Sequence, residues 1–397
     1  MTSGISDVLA DRAQAMIDEL RMLVEHETPT GDVGRLDALA AQLERQWEAI
    51  GAMVTRHRVD GTGTHLECAW PGPSGTPDDV PPALLIGHYD TVHDVGTLRR
   101  NPWRIDDHRR AWGPGSQDMK AGLVIMRHAL LALRDEGAPL ARPVRVLLTA
   151  DEEVGSPTSR ALIEDRAAAS ACALVFEAAT ESGALKTRRK GIGLWTLSVT
   201  GQAAHAGQHF FDGVNANVAL ARLVPGIAAL SDRDTGTTVN VGILRGGTRA
   251  NVVAEQADAV LDVRFASDEE ADRVATALRG LTADDDVRLR LTGGVNRPAM
   301  RPSAATDDLF ARAQACARRL GFELDQAAAG GGSDGNFTAA LGIPTLDGLG
   351  GVGAGLHTVT EWVQVDSLPQ RAALLAGLLS ADRGDRQRAT SRWKKSR

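Results

Sequence analysis

The sequence predicts an α/β protein of two domains, one of which is inserted into the other. Three observations support this class. The chain has 397 residues, more than one ordinary hydrophobic core accommodates. Apolar runs that end in polar side chains alternate with amphipathic helical patterns through the first half of the chain and again near its end. Between them, residues 192–292 follow a β-α-β-β-α-β order, the pattern of a split βαβ domain.

Composition and charge restrict the class of protein. Hydrophobic residues make up 43% of the chain and charged residues 24%, as in soluble globular proteins. The net charge is −7, yet residues 383–397 contain seven Lys or Arg and one Asp, so the rest of the chain is more acidic still. An acidic body argues against a nucleic-acid-binding surface. We expect the basic end to be a disordered tail.

Cysteine usage and the start of the chain predict the compartment. The three cysteines, Cys68, Cys172 and Cys316, are odd in number and far apart, which gives no disulfide framework and fits a reducing compartment. Residues 1–11 lack the basic start and apolar core of a signal peptide, and no apolar run is long enough to span a bilayer. We therefore expect a cytoplasmic protein without membrane contact.

The first elements are predicted scaffold helices followed by strands. Apolar spacing over residues 6–50 is helical, with a break at Thr-Pro-Thr-Gly, residues 28–31. Residues 54–70 alternate weakly, as a strand does. The strand at 83–87 ends in His88-Tyr89-Asp90. In an extended chain His88 and Asp90 share one face, where the carboxylate can accept the second ring N–H of a metal-bound histidine. On its own, a polar strand terminus explains the pair equally well.

A glycine-rich loop, Trp112-Gly-Pro-Gly-Ser-Gln-Asp118-Met-Lys-Ala-Gly122, leads into an amphipathic helix that stops near Gly137. Asp118 at the mouth of this helix is either an N-cap or a carboxylate held stiffly enough to bridge two cations. His128 lies on the helix beside apolar neighbours, and we expect it to be structural.

The stretch 146–156 is the most informative, because an apolar strand pattern stops abruptly in Asp151, Glu152 and Glu153 and then a Gly-Ser turn. In open α/β sheets, ligands bind at the carboxyl ends of the strands. Adjacent glutamates on a strand end point in opposite directions, so Glu152 and Glu153 can have two functions, one binding a cation and one handling a proton. Taken alone, an acidic triplet after a strand is more often a solvated turn.

A helix over 159–169 and a strand over 173–176 follow, and that strand ends in Glu177. Three strand ends and one loop therefore gather a cluster of possible ligands at one sheet edge: His88, Asp90, Asp118, Glu152, Glu153 and Glu177.

The α/β alternation of the first half of the chain changes near Lys186, where we place the start of the inserted domain. Its elements are strands at 192–200, 237–244, 251–265 and 287–292 and helices at 214–230 and 268–281. This is the ferredoxin-like α+β order. Predicted helices over 306–320 and 368–379 resume the α/β pattern. We place the inserted domain at 188–295, the two parts of the first domain at 1–187 and 296–382, and the tail at 383–397.

The remaining candidate functional residues lie in three loops. His205 lies among small residues at 201–207, and nothing local indicates more than a surface loop. The glycine-rich loop 329–336 lacks GK[ST] and a preceding strand of a Rossmann unit, so close approach of its backbone to a ligand is a better interpretation than phosphate binding. His357, in the segment 353–361, is on its own best explained as a loop histidine, but beside the acidic cluster it supplies the missing nitrogen ligand.

The combined residues predict a chemistry. Two histidines and three carboxylates, with one further glutamate, suit a pair of zinc ions better than magnesium or calcium, which prefer oxygen ligands alone. Two metals about 3.5–4 Å apart can hold a hydroxide and polarise a carbonyl. A free carboxylate can carry the proton from water to the leaving amine. The predicted reaction is amide hydrolysis.

The motifs HxD, GxxDMKAG, DEExGS, FE, GxxAHAG and LHT, in this order, resemble those of the M20 zinc metallopeptidases. That family includes glutamate carboxypeptidase, acetylornithine deacetylase and succinyl-diaminopimelate desuccinylase. The resemblance covers about Leu20 to Leu379. It implies a zinc-peptidase-like three-layer catalytic domain, an inserted dimerisation or lid domain, and two Zn²⁺ per subunit.

The resemblance also implies residue roles. Asp118 would bridge the two ions, Asp90 would orient His88, and Glu152 would be the general base and acid. His205 is similar to the family histidine that extends into the partner subunit's active site and stabilises the oxyanion. This similarity implies a homodimer. The full set of implied metal ligands is His88, Asp118, Glu153, Glu177 and His357.

The resemblance implies a substrate-binding role for four residues. Asn251, Arg264 and Arg297 match residues that hold the substrate's terminal carboxylate in the glutamate carboxypeptidase branch, and Lys186 is a looser match. Glutamate at position 177 is also more similar to the carboxypeptidase and deacylase branches than to the di- and tripeptidases. The glycine loop departs from the carboxypeptidase version and no signal peptide is present. We therefore expect a carboxypeptidase, with an N-acyl-amino-acid deacylase as the alternative.

Three other classes fit less well. A non-catalytic relative would lack Glu152 or a ligand, and none is missing. A dinucleotide enzyme would need GxGxxG at a strand–helix turn, and none is so placed. A purely structural dimer would not gather this acidic cluster.

Overall fold

The computed structural model describes residues 2–72 and 80–380. The predicted basic tail at 383–397 lies outside the described residues. The chain forms two compact units. The first comprises the described residues of Met1–Thr187, Pro302–Ala328 and Ser333–Arg397, and the second comprises Arg188–Arg301 and Ala329–Gly332.

The helices of the described residues are α1 (Thr2–Asp11), α2 (Ala13–Glu25), α3 (Val33–Ala49), α4 (Ala121–Asp135), α5 (Arg160–Ala168), α6 (Ala216–Ala228), α7 (Asp268–Arg279), α8 (Ala304–Arg319), α9 (Gly335–Ala340) and α10 (Ser367–Leu379). The strands are β1 (Met53–His57), β2 (His65–Trp70), β3 (Ala83–His88), β4 (Arg104–Ile105), β5 (Arg110–Trp112), β6 (Val144–Thr149), β7 (Cys172–Val175), β8 (Leu185–Arg189), β9 (Gly191–Thr200), β10 (Thr238–Gly246), β11 (Gln256–Phe265), β12 (Arg288–Arg297), β13 (Gln326–Ala329), β14 (Thr345–Leu346), β15 (Gly353–Ala354) and β16 (Trp362–Gln364). Among these described elements, no helix has both the length and the apolar character that crossing a bilayer requires.

The first unit is organised around a six-stranded sheet in the order β1-β2-β6-β3-β7-β14. Strands β6, β3, β7 and β14 run parallel, whereas β2 is antiparallel to β6 and β1 to β2. The carboxyl ends of β3, β6 and β7 therefore lie at one edge of the sheet. This edge carries His88, the acidic segment after Thr149, and Glu177 just after β7.

Helices cover both faces of this sheet, which makes three layers. Alternate strand residues such as Leu85 and Val146 pack into the large core formed with α1–α4, α8 and α10. The intervening residues, such as Ile86, face the opposite side and pack against Ile163 of α5 and Phe337 of α9. This confirms the predicted α/β class and its three-layer arrangement.

The second unit has a four-stranded sheet in the order β10-β11-β9-β12, and every neighbouring pair is antiparallel. Trp195, Leu197 and Val199 point to one face of β9 and pack with residues of both helices, among them Leu220 of α6 and Val274 of α7. The strand and helix order is the predicted split βαβ arrangement.

The structure differs from the sequence prediction in several local features. The strand predicted to begin at residue 251 begins at Gln256, because the preceding residues bond to another loop: the Val253 N–H donates to the Ala204 carbonyl at 2.9 Å. A further antiparallel sheet, β15-β16-β5-β4, was not predicted, since its strands have only two or three residues each. Strand β12 is longer than predicted and reaches Arg297.

Candidate metal centre

His88 is the last residue of β3 and is almost fully buried, with 1% of its surface exposed. Its Nδ1 lies 3.0 Å from the Asp90 backbone oxygen and 3.3 Å from Asp90 Oδ1. Its Nε2 lies 3.3 Å from Asp118 Oδ1 and from Glu177 Oε1. Burial alone would lower the pKa of His88, but these carboxylates raise it well above its ordinary value.

Asp90 connects two of the strand ends. It is fully buried, and its Oδ1 and Oδ2 accept the backbone N–H groups of Glu152 and Glu153, each at 3.3 Å. Thr30 donates its hydroxyl to Oδ2 at 2.7 Å. Asp90 therefore fixes the turn that carries the two glutamates, and it also faces the imidazole ring of His88.

Asp118 lies in the loop before α4, and the peptide bond that follows it is cis. Its two oxygens face two different histidines, Oδ1 at 3.3 Å from His88 Nε2 and Oδ2 at 3.1 Å from His357 Nε2. Burial would raise the pKa of this carboxyl, but its hydrogen bond to His357 and the nearby imidazole of His88 hold the pKa well below the usual range. An ionised carboxylate with one oxygen toward each histidine can bridge two cations.

Glu152 and Glu153 occupy a 3₁₀ turn, Glu152–Val154, rather than an extended strand end. The expectation that strand alternation separates their side chains is therefore wrong, although the two side chains do join different groups. Possible ligand atoms of His88, Glu152 and Glu177 lie within 4.8 Å of one another, as do those of His88, Asp118 and Glu153. Burial raises the pKa of Glu153 to about 7.

His357 completes the cluster from the loop between β15 and β16, where it has a left-handed φ of 62°. Its Nε2 lies between Asp118 Oδ2, at 3.1 Å, and Glu153 Oε2, at 3.4 Å. Hydrogen bonds to these two carboxylates raise the pKa of His357 to about 11. The structure therefore brings together all five residues that the sequence implied as metal ligands, with Asp90 and Glu152 beside them.

The donor set fits a metal centre. Within the described residues, His88 Nε2 and Glu153 Oε1 are buried and have no hydrogen-bond partner. Two imidazoles and four carboxylates converge here, and a buried excess of negative charge needs a cation. Mixed nitrogen and oxygen donors suit zinc and similar transition metals.

Sequence reasoning missed several residues that support the cluster. Asp151 is buried and accepts the N–H and O–H groups of both Thr158 and Ser159, which closes the loop after β6. Glu361 is fully buried and accepts hydrogen bonds from the Asp118 loop. Both contacts involve backbone amides, which leave no signal in a sequence. Lys120, whose pKa burial lowers to about 7, donates to the His26 carbonyl.

Two of the predicted residues of the second unit lie together. His205 forms an isolated β-bridge with Val252, and the Ala206 N–H donates to the Asn251 carbonyl at 3.1 Å. His205 Nδ1 accepts the backbone N–H groups of Gly207 and Gln208, each at 3.1 Å. Because Nδ1 is an acceptor, the ring carries its proton on Nε2 and presents it as a donor.

The predicted cationic residues have different surroundings. Arg264 makes a bidentate ion pair with Asp262 on the same strand, with both distances 2.7 Å. Arg297, at the end of β12, is only 2% exposed. A side chain at Gly332 would come within 2.9 Å of Arg297 Cδ, so close packing explains this glycine of the 329–336 loop. Lys186 belongs to the first unit, is buried, and pairs through its backbone with Asp347.

Comparison with known proteins agrees with this geometry. Residues 84–381 match the family model described as Peptidase family M20/M25/M40. Carboxypeptidase G2 of Pseudomonas sp. (strain RS-16) is 32% identical over 380 residues, which cover 93% of this chain and 89% of that protein. Succinyl-diaminopimelate desuccinylase of Thioalkalivibrio sulfidiphilus (strain HL-EbGR7) is 26% identical over 327 residues, or 75% and 83% of the two chains. The crystal structure of aminopeptidase PepT from Bacillus cereus ATCC 10987 has a TM-score of 0.74 at 23% identity and covers 92% of this chain and 98% of its own.

Proposed function

This chain belongs to peptidase family M20/M25/M40, and on that premise we propose that it is a di-zinc carboxypeptidase that releases a C-terminal amino acid. Family membership makes it a metal-dependent hydrolase of the metallopeptidase and amidohydrolase type. The observation that carries the proposed metal chemistry is the convergence of two histidines and four carboxylates at one sheet edge. The likeness to carboxypeptidase G2 over 93% of the chain supports a carboxypeptidase.

The proposed ligands are His88, Asp118, Glu153, Glu177 and His357, with Asp118 shared between two sites. When bound, zinc ions polarise a substrate carbonyl and lower the pKa of a bound water. Zinc is proposed over magnesium or calcium because of the two imidazole donors, since those two ions prefer oxygen ligands alone.

Glu152 is the proposed proton carrier. Asp90 holds its backbone N–H, and its side chain is half-buried beside the ligand cluster. In this position the carboxylate takes a proton from the attacking water and delivers it to the leaving amine. Asp90, which faces His88 Nδ1, is proposed to fix the orientation of that imidazole.

His205 is proposed to stabilise the negative charge that develops on the substrate carbonyl oxygen. Two backbone amides donate to its Nδ1, so Nε2 is the ring nitrogen left to donate to the oxyanion. A preorganised donor of this kind stabilises an oxyanion at little reorganisation cost.

We further propose that His205 acts in a second copy of the chain, within a homodimer formed by the inserted unit. Strand β10 is an edge strand of its sheet, and Ile243 and Leu244 on it are 42% and 55% exposed. Helix α6, which packs against β10, exposes 47% of Val218. An exposed apolar edge strand is a surface that associates readily.

The substrate's free carboxylate is proposed to bind Arg297, with Asn251, Arg264 and Lys186 in support. Arg264 pairs with Asp262, so part of its charge is already compensated and we assign it a supporting role. The expected cytoplasmic compartment and the expected lack of nucleic-acid and membrane partners stay predictions.

The second candidate function is an N-acyl-amino-acid deacylase, which the likeness to a desuccinylase over 75% of the chain favours. The two activities cleave the same kind of bond and differ in which side of it carries the recognised group. A hydrolysis screen of N-acyl amino acids and of α- and γ-linked glutamyl peptides, read out by free amine with and without added zinc, separates them. Release of amine from neither class by the zinc-loaded protein would refute both.

A further inference from the structure

Glu361 is a fully buried carboxylate at the edge of the metal centre, and it is not one of the proposed ligands. Its Oε1 accepts the backbone N–H groups of Gln117 at 2.7 Å and Asp118 at 2.9 Å. Its Oε2 accepts the N–H of Gly115 at 2.8 Å and contacts His93 Nε2 at 2.8 Å. Two carboxylate oxygens accept about four hydrogen bonds in total, so these four partners satisfy the acceptor capacity of the Glu361 carboxylate.

These four bonds join three ligand-bearing segments of the chain. Gly115, Gln117 and Asp118 form the loop that carries the shared ligand. Glu361 itself lies four residues after His357. His93 lies five residues after His88, on the segment that leaves β3.

The backbone of Glu361 adds to this connection, since its carbonyl oxygen accepts the Gly113 N–H at 3.3 Å. Because the Asp118 loop and the His357 segment are joined at one carboxylate, Asp118 Oδ2 and His357 Nε2 are held 3.1 Å apart.

The loop conformation depends on this acceptor. Gly115 has a left-handed φ of 70°, and several N–H groups of the Gly115–Asp118 loop converge on one point. Buried amides without an acceptor are costly, and a buried carboxylate is tolerated only when it is fully hydrogen-bonded. The carboxylate oxygens need donors and the loop amides need acceptors, so the loop conformation and Glu361 stabilise one another.

We propose that Glu361 is the positioning residue of the metal centre, which fixes Asp118 relative to His357 and so sets the affinity of the centre for metal. This inference rests on the proposed function, because it concerns the same ligands. A glutamate that merely stabilised the fold would affect unfolding and leave metal affinity unchanged.

The variant Glu361→Gln isolates this role. Glutamine has the same size, but it replaces one acceptor oxygen by an NH₂ donor, which then faces N–H groups instead of accepting from them. Residues that orient metal ligands from outside the first coordination sphere typically change metal affinity by about 10- to 100-fold when mutated. We expect zinc binding weaker by a factor in this range.

Glu19→Gln is the matched control. Glu19 is also buried, and its carboxylate bonds to Arg127 and His128, none of which lies on the three ligand-bearing segments. This variant removes a buried carboxylate without touching the Asp118 loop. We expect its zinc affinity to equal that of the wild type, while its metal-free form unfolds at a lower temperature.

The experiment uses the full chain stripped of metal, titrated with zinc against a chromophoric chelator, together with thermal unfolding of the metal-free proteins. Weaker zinc binding by Glu361→Gln and unchanged binding by Glu19→Gln would support the proposal. Wild-type affinity in Glu361→Gln would overturn it and leave the proposed function intact. A wild-type protein that bound no zinc would overturn both.

If Glu361→Gln does not fold, His93→Ala replaces it in the same titration, because it removes one of the four bonds and leaves the carboxylate and the three amide contacts in place. Zinc binding several-fold weaker than wild type would support the proposal, and an unchanged affinity would overturn it.

Discussion

His357 Nε2 lies 3.1 Å from Asp118 Oδ2, although 239 positions separate the two residues in the chain. Asp118 precedes the inserted unit and His357 follows it, so both parts of the first unit must be folded before these two proposed ligands meet. A metal held by both residues therefore binds the folded first unit and not the unfolded chain. Metal binding and the stability of this unit are consequently linked.

We predict that zinc raises the unfolding temperature of the metal-free protein. At a free zinc concentration about 100 times the dissociation constant, linkage contributes about 2.7 kcal/mol. For a unit of this size that is a shift of roughly 5–10 °C. Differential scanning calorimetry with and without zinc measures it, and magnesium serves as the control ion. An unchanged midpoint with saturating zinc would contradict the metal assignment.

Replacing the two adjacent glutamates should have different effects. Glu152→Gln should lower turnover by about 10²- to 10⁴-fold and leave zinc content nearly intact, because the amide keeps the shape but cannot take the proton. Glu153→Gln should lower zinc content, since its Oε2 lies 3.4 Å from His357 Nε2 inside the cluster. Elemental analysis and initial rates of both variants test this. Full zinc occupancy in both would show that the assigned roles are wrong.

The clustering of these acidic and histidine side chains was predictable because strand ends carry a strong sequence signal. Apolar strand patterns that stop at His88, Glu152 and Glu177 indicate side chains at one edge of a parallel sheet, whichever order the strands take. The loop around His357 has no such signal, so this histidine was placed beside them by the cluster's need for a second nitrogen ligand and by the family resemblance.

The supporting contacts were not predictable, because they depend on backbone groups. A sequence shows that Glu361 exists but not that three amides and a histidine point at its oxygens. In the same way, the pairing of Arg264 with Asp262 depends on their lying two residues apart on a strand, on the same face. Sequence reasoning could list Arg264 as a candidate but could not show that it already had a partner.

The proposed role of His205 in the partner subunit predicts complementation between inactive chains. A Glu152→Gln chain mixed with a His205→Ala chain should regain activity, since each heterodimer contains one intact site. With free exchange, half of the dimers are mixed and each has one working site of two, so about a quarter of wild-type activity is expected. Mass analysis must confirm that subunits exchange. An inactive mixture that contains heterodimers would refute a role across the interface.

Glu19 predicts an acid-sensitive contribution to stability. Burial opposes its ionisation, but hydrogen bonds to His128 and Arg127 hold its pKa below the ordinary value of 4.5. A carboxyl with a lowered pKa in the folded state stabilises the protein above its unfolded-state pKa, and this contribution is lost as the pH falls through the folded-state value.

Removing one partner of such a buried ion pair costs about 3–5 kcal/mol, so Glu19→Gln should be less stable than wild type by roughly this amount at pH 7. The difference should shrink as the pH falls below 4.5. Urea unfolding of both proteins across this range measures it. A difference that stayed constant from pH 7 to the acid limit would contradict the assignment.

Specificity for a free carboxylate is predicted to depend on Arg297. Loss of a charge-assisted hydrogen bond costs about 1.5–3 kcal/mol. Arg297→Ala should therefore lower kcat/KM by about 10- to 150-fold on substrates with a free carboxylate. Arg264→Ala is the comparison variant, and its effect should fall below this range because Asp262 already compensates part of the charge of that guanidinium.

The decisive control is a substrate whose carboxylate is capped as an amide, because such a substrate never makes the contact. Arg297 is only 2% exposed, so its removal also disturbs packing, and a purely structural arginine would impair both substrates alike. A carboxylate-binding arginine would impair only the free acid. The ratio of kcat/KM for the free and amidated substrates therefore separates the two roles, since a general packing defect cancels in it. An unchanged ratio in Arg297→Ala would assign this arginine to the fold of the inserted unit and transfer carboxylate recognition to other residues.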